Sequence, residues 1–517
     1  MKTPSTDISN AEQLEAARSS AALETGPREA EPPFTLALDV GTSSVRASLY
    51  DALAREVSGA SARAARDFTK TPDGGHERDA DELVETVART VDELLARVPP
   101  ELSAHVERVA VSCFWHSLVG VGVACEAVTP VYGWADTRAA AEAERLARES
   151  DEPAARARTG CPFHPSYWPA KLTWLREHRP ELFRAAARWL SFGEYLIARL
   201  CGPEAARASV SMASGTGLLD VRACLWDAPL LSALELDEPR LPALAADGET
   251  FQFASEWAAR WPPLRAARVF PAVGDGAANN VGEGCTTRDD VALMVGTSAA
   301  MRVVFEGAPP VERERALWCY RVDRRRVVVG GALSDGGALR EWMTRTLKVA
   351  GERDALAATE PDAHGLTVLP FWSGERSTGW HARARGAIVG LTVNTRPEEI
   401  LRASLESVAY RAALVADALE AHAPGARLRA SGGALRESPF WAQLFADVLG
   451  RPLTLSRVRE ASSRGAVLLA LEATGAIQSV SDAAPTPART LRPEAARTEI
   501  YRRAVERQRR LYELLVG

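Results

Sequence analysis

The stretch from Leu36 to Tyr50, LALDVGTSSVRASLY, has the pattern of two short strands joined by the turn Gly41-Thr42-Ser43. A second stretch, Val291 to Phe305 (VALMVGTSAAMRVVF), has the same form around Gly296-Thr297-Ser298. The two turns stand 255 residues apart (296 minus 41), which is about half of the 517-residue chain. We therefore predict an α/β protein with two domains of similar fold, each opening with a β-hairpin.

The rest of the chain supports an α/β pattern with a boundary near residue 285. Apolar positions from Leu83 to Leu95 recur at helical spacing, and Val106 to Ser112 (VERVAVS) reads as a strand. Thr395 and Glu398 suggest a capping box at the start of a later helix. Residues 1–33 are polar and predict a disordered tail, followed by domains at 34–284 and 285–517.

Composition excludes several classes of protein. The 62 basic and 68 acidic residues are mixed along the chain, so no basic stripe offers itself to nucleic acid. The seven cysteines are scattered and odd in number, which argues against a disulfide framework or a zinc site and for a reducing compartment. No apolar run reaches the roughly 20 residues that span a bilayer, and the start of the chain lacks a signal-peptide core. We expect a cytoplasmic protein without a membrane or nucleic-acid partner.

The Gly-Thr-Ser turns are candidate phosphate sites. Such a turn presents backbone N–H groups and hydroxyls to an anion, and no GxxxxGK[ST] loop occurs in the chain. Asp39, just ahead of the first turn, is placed to hold Mg²⁺ directly or through water. Alternatively, both turns are plain hairpin turns, with Asp39 satisfying turn amides. Two copies half a chain apart favour the phosphate cradle.

Asp275 is the candidate for the carboxylate that phosphoryl transfer places near an accepting hydroxyl. It lies in Val269 to Gly276 (VFPAVGDG), where a strand ends, and Ala277 to Gly282 could start a helix. An ordinary helix N-cap is the alternative. Its place beside the predicted domain boundary, and hence the cleft, favours the functional interpretation.

Other polar and glycine clusters are weaker signals. Gly432-Gly433-Ala434 follows a short strand and precedes the helical pattern Pro439 to Leu449, which suits either a nucleoside or tight strand-to-helix packing. Polar and aromatic side chains in the first domain suit a polyol, and cationic ones suit a carboxylate. These clusters are Trp115-His116-Ser117, Trp134 to Arg138, and His164 to Tyr167 ahead of Lys171.

Taken in order, these segments resemble the FGGY carbohydrate kinases, whose actin-like, ribonuclease H-like domains enclose an interdomain cleft. The likeness runs from about Phe34 to Leu471. Its matching pieces include LDVGTSSVRASLYD (38–51), GWADTRA (133–139), AKLTWLREHRPELF (170–183), SMASGTGLLD (211–220), GDGAANNVGEGC (274–285), VGTSAAM (295–301), LPFWSGERSTGW (369–380), GAIVGL with EEILRASLE (386–406), SGGALRESPFWAQLFADVLGRPL (431–453) and EASSRGAVLLAL (460–471).

The resemblance implies ATP and Mg²⁺ as cofactors between the domains, with Asp275 as the base and Asp39 near the metal. It implies phosphate contacts from Gly41, Thr42, Ser43, Arg46, Gly296 and Thr297, and nucleoside contacts from Gly432, Gly433 and Ala434. The sugar is expected at His116, Trp134, Asp136, Ser166 and Asp275. A lone histidine such as His116 is nevertheless more often a structural residue.

The motifs look most like the gluconokinase branch, with xylulokinases next. Trp115, Trp168 and the pair Ser334-Asp335 depart from the usual family residues, and the two tryptophans could narrow or reshape the sugar pocket. The expected reaction is ATP-dependent phosphorylation of D-gluconate to 6-phospho-D-gluconate, with xylulose or another polyol as the alternative acceptor. From another class, an actin- or Hsp70-like ATP-driven binding module is the alternative, although few residues follow Leu471 for a partner-binding domain. The oligomeric state is open, a homodimer being one option.

Overall fold

The computed structural model describes residues 30–311, 314–349, 351, 356, 359–483 and 487–516, except the side chains of 487 and 488. Residues 1–29 of the predicted tail lie outside these ranges. The strands, numbered in chain order, are β1 (Phe34–Val40), β2 (Ser44–Tyr50), β3 (Glu56–Ala65), β4 (Thr69–Lys70), β5 (His76–Arg78), β6 (Val106–Cys113), β7 (Val119–Val121), β8 (Val131–Tyr132), β9 (Arg188–Leu190), β10 (Arg207–Ala208), β11 (Leu219–Asp220), β12 (Leu225–Trp226), β13 (Ala243–Leu244), β14 (Arg268–Val269), β15 (Val273–Gly274), β16 (Asp290–Val295), β17 (Ala299–Glu306), β18 (Trp318–Arg321), β19 (Arg326–Leu333), β20 (Thr367–Leu369), β21 (Ala387–Val389), β22 (Arg427–Ser431), β23 (Leu453–Ser456) and β24 (Pro487–Leu491).

Helices alternate with these strands through both halves of the chain. In chain order they are α1 (Ala80–Arg97), α2 (Pro100–Ser103), α3 (Ala140–Glu149), α4 (Glu152–Thr159), α5 (Trp168–His178), α6 (Pro180–Ala185), α7 (Phe192–Cys201), α8 (Val210–Ser214), α9 (Ala228–Ala233), α10 (Ser255–Arg260), α11 (Asp275–Gly282), α12 (Gly337–Leu347), α13 (Pro397–Leu419), α14 (Gly433–Glu437), α15 (Pro439–Leu449), α16 (Ala461–Ala473) and α17 (Ala495–Leu515). Among the described residues, no helix combines the length and the apolar character needed to cross a membrane.

Two large sheets organise the fold, and their centres share one topology. The first has the order β14-β6-β1-β2-β3, with β15 also paired to β6, and the second has the order β18-β19-β17-β16-β22-β23-β24. In each, an antiparallel hairpin (β1–β2 or β16–β17) is extended on one side by an antiparallel strand and on the other by two parallel strands in succession. This repetition confirms the prediction of two units of similar fold, each built on a Gly-Thr-Ser hairpin.

The strands of both hairpins lie in the core. β1 is buried along its whole length, and β16 and β17 are buried except at single positions. Apolar side chains of β1 and β2 belong to one buried cluster and those of β16 to another, and the first cluster also includes side chains from the second half of the chain, such as Trp318 and Val328. Because the strands are packed on both faces, their sequences are almost continuously apolar and fix the position of each turn.

Helices α11 and α16 connect the halves. Although α16 comes late in the chain, it packs on α11 and on strands β1 and β6 of the first sheet. At the crossing the backbones touch: a methyl group on Gly465 would lie 1.7 Å from the carbonyl oxygen of Ala278, and one on Gly282 would lie 1.9 Å from that of Ala461. Only glycine permits this approach.

One helix start differs from its prediction. Helix α13 begins at Pro397, so Arg396 is the N-cap, and its main-chain N–H donates to Glu399 Oε2 (2.8 Å). The predicted box of Thr395 and Glu398 is therefore wrong by one residue. The reason is Pro397, whose fixed φ suits the first helical position.

Candidate active site

The turns of both hairpins are open to solvent, while their flanking strands are buried. Ser43 and Thr297 are exposed, and Gly41, Thr42 and Gly296 are partly exposed. The turns therefore present main-chain groups and hydroxyls where an anion can reach them. This geometry fits phosphate binding at both hairpins.

Asp39 lies at the end of β1, opposite Arg46 on β2. Its Oδ2 accepts a hydrogen bond from Arg46 Nη1 (2.9 Å), and its Oδ1 accepts one from Ser112 Oγ (3.0 Å). Arg46 Nε also lies 3.3 Å from Glu460 Oε2. Each carboxylate oxygen keeps a second lone pair, and magnesium typically takes one or two carboxylates beside phosphate oxygens and water. Asp39 and Glu460 thus provide a donor set that fits this metal.

The predicted nucleoside loop lies against the second hairpin. A neighbouring segment contacts the same hairpin: the main-chain N–H of Gly337 donates to Gly296 O (2.7 Å), and that of Gly336 donates to Thr297 O (3.1 Å). Gly432 adopts φ +104° directly over β16, where a methyl group would meet Val295 O at 2.1 Å. The structure therefore brings Gly296, Thr297 and the Gly432 to Ala434 segment into one contiguous surface.

Asp275 is the first residue of α11, and Gly274 is the N-cap. The N-cap interpretation of Asp275 is therefore wrong. Its Oδ1 accepts a hydrogen bond from the main-chain N–H of Gly276 (2.8 Å), and the carboxylate lines the cavity described below. Burial raises the pKa of Asp275 to about 6, although the Arg302 guanidinium lowers it, and the charge of Asp39 adds to the rise. A carboxylate with such a pKa is a suitable proton acceptor near neutral pH.

Asp275 lines a cavity of about 80 Å³ between the two halves of the chain. A single water needs about 10–15 Å³ on this scale, so the cavity has room for a small molecule. Its walls come from both halves and consist of Phe114, Trp115, His116, Trp134, Ser166, Tyr167, Asp275, Met294, Ser298, Ala299, Ala300, Arg302, Trp318, Tyr320, Ala332, Arg376 and Trp380.

Trp115 forms the wall beside Asp275. Its indole packs on the backbone of Gly274 and Gly276, where added methyl groups would lie 1.9 and 2.6 Å from the ring. Its Nε1 donates to Ser211 O (3.0 Å), which fixes the ring in place. Trp168, the other unusual tryptophan, is fully buried elsewhere, with its Nε1 donating to Ser117 O (2.8 Å), and it does not line the cavity. Of the two departures, Trp115 alone shapes the pocket directly.

The predicted sugar contacts are mostly brought together. His116, Trp134 and Ser166 line the cavity. Burial lowers the pKa of His116 to about 3, so the imidazole is neutral there. Asp136 is set apart: it lines a smaller neighbouring pocket with Trp134 and Ser166. Both of its oxygens accept bonds from Arg138 Nε, and Oδ2 also accepts one from the main-chain N–H of His76 (3.1 Å).

Two arginines of the cavity were missed by sequence reasoning. Arg302 lies on β17, where its side chain packs beside the Gly276 backbone, and Arg376 lies over the Trp134 ring at 4.3 Å from the centroid. The sequence carries one usable signal, since Arg302 is a charged residue in the otherwise apolar run AAMRVVF. Buried arginines in such apolar runs are rare unless another group pairs with their charge.

Asp335, in the unusual pair Ser334-Asp335, forms local hydrogen bonds. Asp335 accepts hydrogen bonds from the main-chain N–H and the hydroxyl of Ser373, both at 3.0 Å. Burial raises the pKa of Asp335 to about 6. This carboxyl therefore holds the loop at residue 373 against the end of β19.

Both halves of the chain match one family of known proteins. The chain matches the N-terminal domain of the FGGY family of carbohydrate kinases over residues 34–282 and the C-terminal domain over residues 291–474. It is 27% identical to a gluconokinase of Bacillus subtilis over 468 residues (86% of this chain, 88% of the relative). It is 32% identical to a glycerol kinase of Trichlorobacter lovleyi over 456 residues (84% and 89%).

Solved structures give the same fold. A gluconate kinase from Lactobacillus acidophilus aligns with a TM-score of 0.84 at 26% identity, covering 93% of this chain and 98% of that one. A xylulose kinase from the same organism aligns with a TM-score of 0.83 at 25% identity (94% and 98%). The predicted two-domain fold is confirmed.

Proposed function

Because the chain belongs to the FGGY family of carbohydrate kinases, we propose that it transfers the terminal phosphate of ATP to the primary hydroxyl of D-gluconate, giving 6-phospho-D-gluconate. The observation that carries this proposal is the position of Asp275, which lines a small polar and aromatic cavity with walls from both halves of the chain, including Ser298 of the second hairpin turn. Family membership removes the actin- or Hsp70-like binding module from consideration. A cytoplasmic location stays a prediction from the sequence.

In this proposal Asp275 accepts the proton of the acceptor hydroxyl as that oxygen attacks phosphorus. Trp115 and the aromatic residues around it exclude water from the cavity, which protects ATP from hydrolysis. The two hairpins position the phosphates by main-chain N–H groups and hydroxyls. When bound, Mg²⁺ supplies charge neutralisation on the phosphates, and Asp39 and Glu460 would hold it directly or through water.

Gluconate is favoured by similarity to gluconokinases and by the two arginines of the cavity, Arg302 and Arg376. D-xylulose and glycerol are the competing acceptors, because xylulose and glycerol kinases are also similar to the chain. All of these acceptors are compatible with the same phosphate site. They differ in the charge at the end of the molecule away from the hydroxyl that receives the phosphate.

An ADP-release assay over D-gluconate, D-xylulose, D-ribulose and glycerol tests the proposal. We expect the largest kcat/KM with D-gluconate. Replacement Asp275→Asn keeps the shape of the side chain and removes the base, so kcat should fall by about 10² to 10⁴-fold. Asp237→Asn, at a surface turn outside the cavity, is the matched control. A clear preference for a neutral ketose or glycerol would refute the gluconate assignment.

A further inference from the structure

Two guanidinium groups in the acceptor cavity lack protein partners for part of their N–H groups. Arg302 is 7% exposed, and its Nε and Nη1 have no hydrogen-bond partner among the described residues. Arg376 Nε is likewise buried and without a partner within the described part of the chain, although its Nη2 donates to Leu333 O (3.1 Å). Leaving such donors unpaired in a buried place is costly unless a ligand pairs with them.

The charges of the cavity walls do not balance. Arg302 and Arg376 contribute two positive charges, and Asp275 is the one acidic residue among the lining residues. Burial lowers the pKa of Arg302 to about 10, the Asp275 carboxylate opposes this fall, and the positive charge of Arg376 adds to it. Two buried like charges near each other destabilise the empty cavity. An anionic ligand would remove this cost.

We infer that Arg302 and Arg376 form the subsite that binds the carboxylate of the acceptor and so distinguish a sugar acid from a neutral polyol of equal length. The inference rests on the proposed function. Arg376 stacks on Trp134, which lines the cavity together with His116 and Ser166. Trp134, His116 and Ser166 are the residues predicted to contact the acceptor. A guanidinium fork also matches a carboxylate in two parallel hydrogen bonds.

The terminal phosphate is the other anion that could reach these arginines. The two hairpins already provide main-chain donors for phosphate, and Lys171, the buried amine nearest the acceptor residues, already donates to His116 O (3.4 Å) and to Ser166 O. Arg302 and Arg376 are therefore the cationic groups that line the cavity itself. Carboxylate binding and phosphate binding at these arginines predict different kinetics. Loss of a carboxylate contact raises KM for gluconate, whereas loss of a phosphate contact raises KM for ATP.

The test compares kcat/KM for D-gluconate and for D-glucitol, which has the same length and a terminal hydroxyl but no charge. The wild type should prefer gluconate by about 100-fold or more, and Arg302→Met and Arg376→Met should each reduce that ratio by about tenfold or more. KM for ATP should stay within about twofold. Arg302→Lys and Arg376→Lys should restore part of the ratio, since they keep the charge but lose the fork. Arg324→Met, at an arginine paired to Asp247 outside the cavity, is the control and should leave the ratio unchanged.

Thermal melting separates binding from a structural role. Removing a buried cation whose N–H groups are partly unpaired should leave the melting temperature of the ligand-free enzyme unchanged or higher, while gluconate should raise it less in the variants than in the wild type. An unchanged gluconate-to-glucitol ratio, a rise confined to KM for ATP, or a ligand-free variant that melts several degrees lower would each overturn the inference. If the wild type itself prefers glucitol or xylulose, the gluconate proposal fails, and that result is visible before any variant is made.

Discussion

At the residue scale, Asp275 carries its charge in a buried position, and that position determines the pH at which it can act. Burial raises its pKa from the usual 3.8 to about 6. The charged groups that face it are Arg302, Arg376 and Asp39. The two arginines oppose the rise, and Asp39 adds to it. The balance leaves a carboxylate that is ionised, and hence basic, at neutral pH.

We therefore predict an acidic limb in the pH profile of kcat/KM. Activity should be constant above pH ~7 and should fall about tenfold for each unit below pH ~6, because the protonated carboxyl cannot accept the acceptor proton. The profile is measured from pH 5 to 8 at constant ionic strength. The residual activity of Asp275→Asn should lack this limb. If that variant shows the same limb, another group titrates.

The sequence points to Asp275 because it follows a strand, stands between two glycines and lies beside the boundary that the repeated Gly-Thr-Ser turns predict. Arg302 and Arg376 escape such reasoning, since their roles depend on what lies beside them in the fold. The predicted sugar contact of Asp136 stays a prediction. The sequence could not show that Arg138 donates to both of its carboxylate oxygens. Which acids are already paired is decided by tertiary contacts.

At the element scale, the two hairpins and the strand β6 were predictable because buried strands have nearly continuous apolar sequences. Helix α1 was predictable from its apolar stripe. The start of α13 lies one residue later than the Thr395 and Glu398 pair predicts, because Pro397 takes the first helical position. The crossing of α11 and α16 could not be predicted, since nothing local in EASSRGAVLLAL shows which helix its glycine will meet.

The close crossing of α11 and α16 predicts the sign of the change in unfolding free energy when Gly465 is replaced. Helix propensity alone would make Gly465→Ala stabilising by about 1 kcal/mol. The contact with Ala278 O predicts the opposite, a loss of roughly 1–3 kcal/mol of unfolding free energy, as for other overpacked sites. Urea denaturation of Gly465→Ala and Gly465→Val measures it, and the loss should grow with side-chain size. A more stable alanine variant would show that the helices separate without cost.

At the scale of the whole molecule, strand β18 fastens the second half of the chain to the first. The main-chain N–H of Cys319 donates to Gly160 O (3.0 Å), and that of Arg321 donates to Ser214 Oγ (2.9 Å). Next to it, Tyr320 and Tyr167 share a hydrogen bond of 2.5 Å between their hydroxyls, beside the cavity. We therefore expect closure of the cavity to depend on the docking of β18.

Arg156 offers a way to weaken this docking away from the cavity. Its Nη2 donates to the carbonyl oxygens of Glu314 (2.8 Å), Arg315 (2.8 Å) and Leu317 (2.7 Å), all in the second half. We predict that Arg156→Met favours the open form and raises KM for the acceptor about fivefold or more, because closure then costs binding energy. Kinetics and small-angle scattering of the acceptor-saturated enzyme measure this effect. Arg207→Met, whose partners Leu244 and Glu249 lie within the first half, should change neither.

Trp115 also constrains the order in which mutations can accumulate beside Asp275. While the indole fills its space, neither Gly274 nor Gly276 can acquire a side chain, so any lineage that enlarges them must first shrink residue 115. The three positions are thus epistatic and should evolve as a set. A library that randomises one of them would return the parent residue, whereas one that randomises all three together can reach acceptor pockets of new shape.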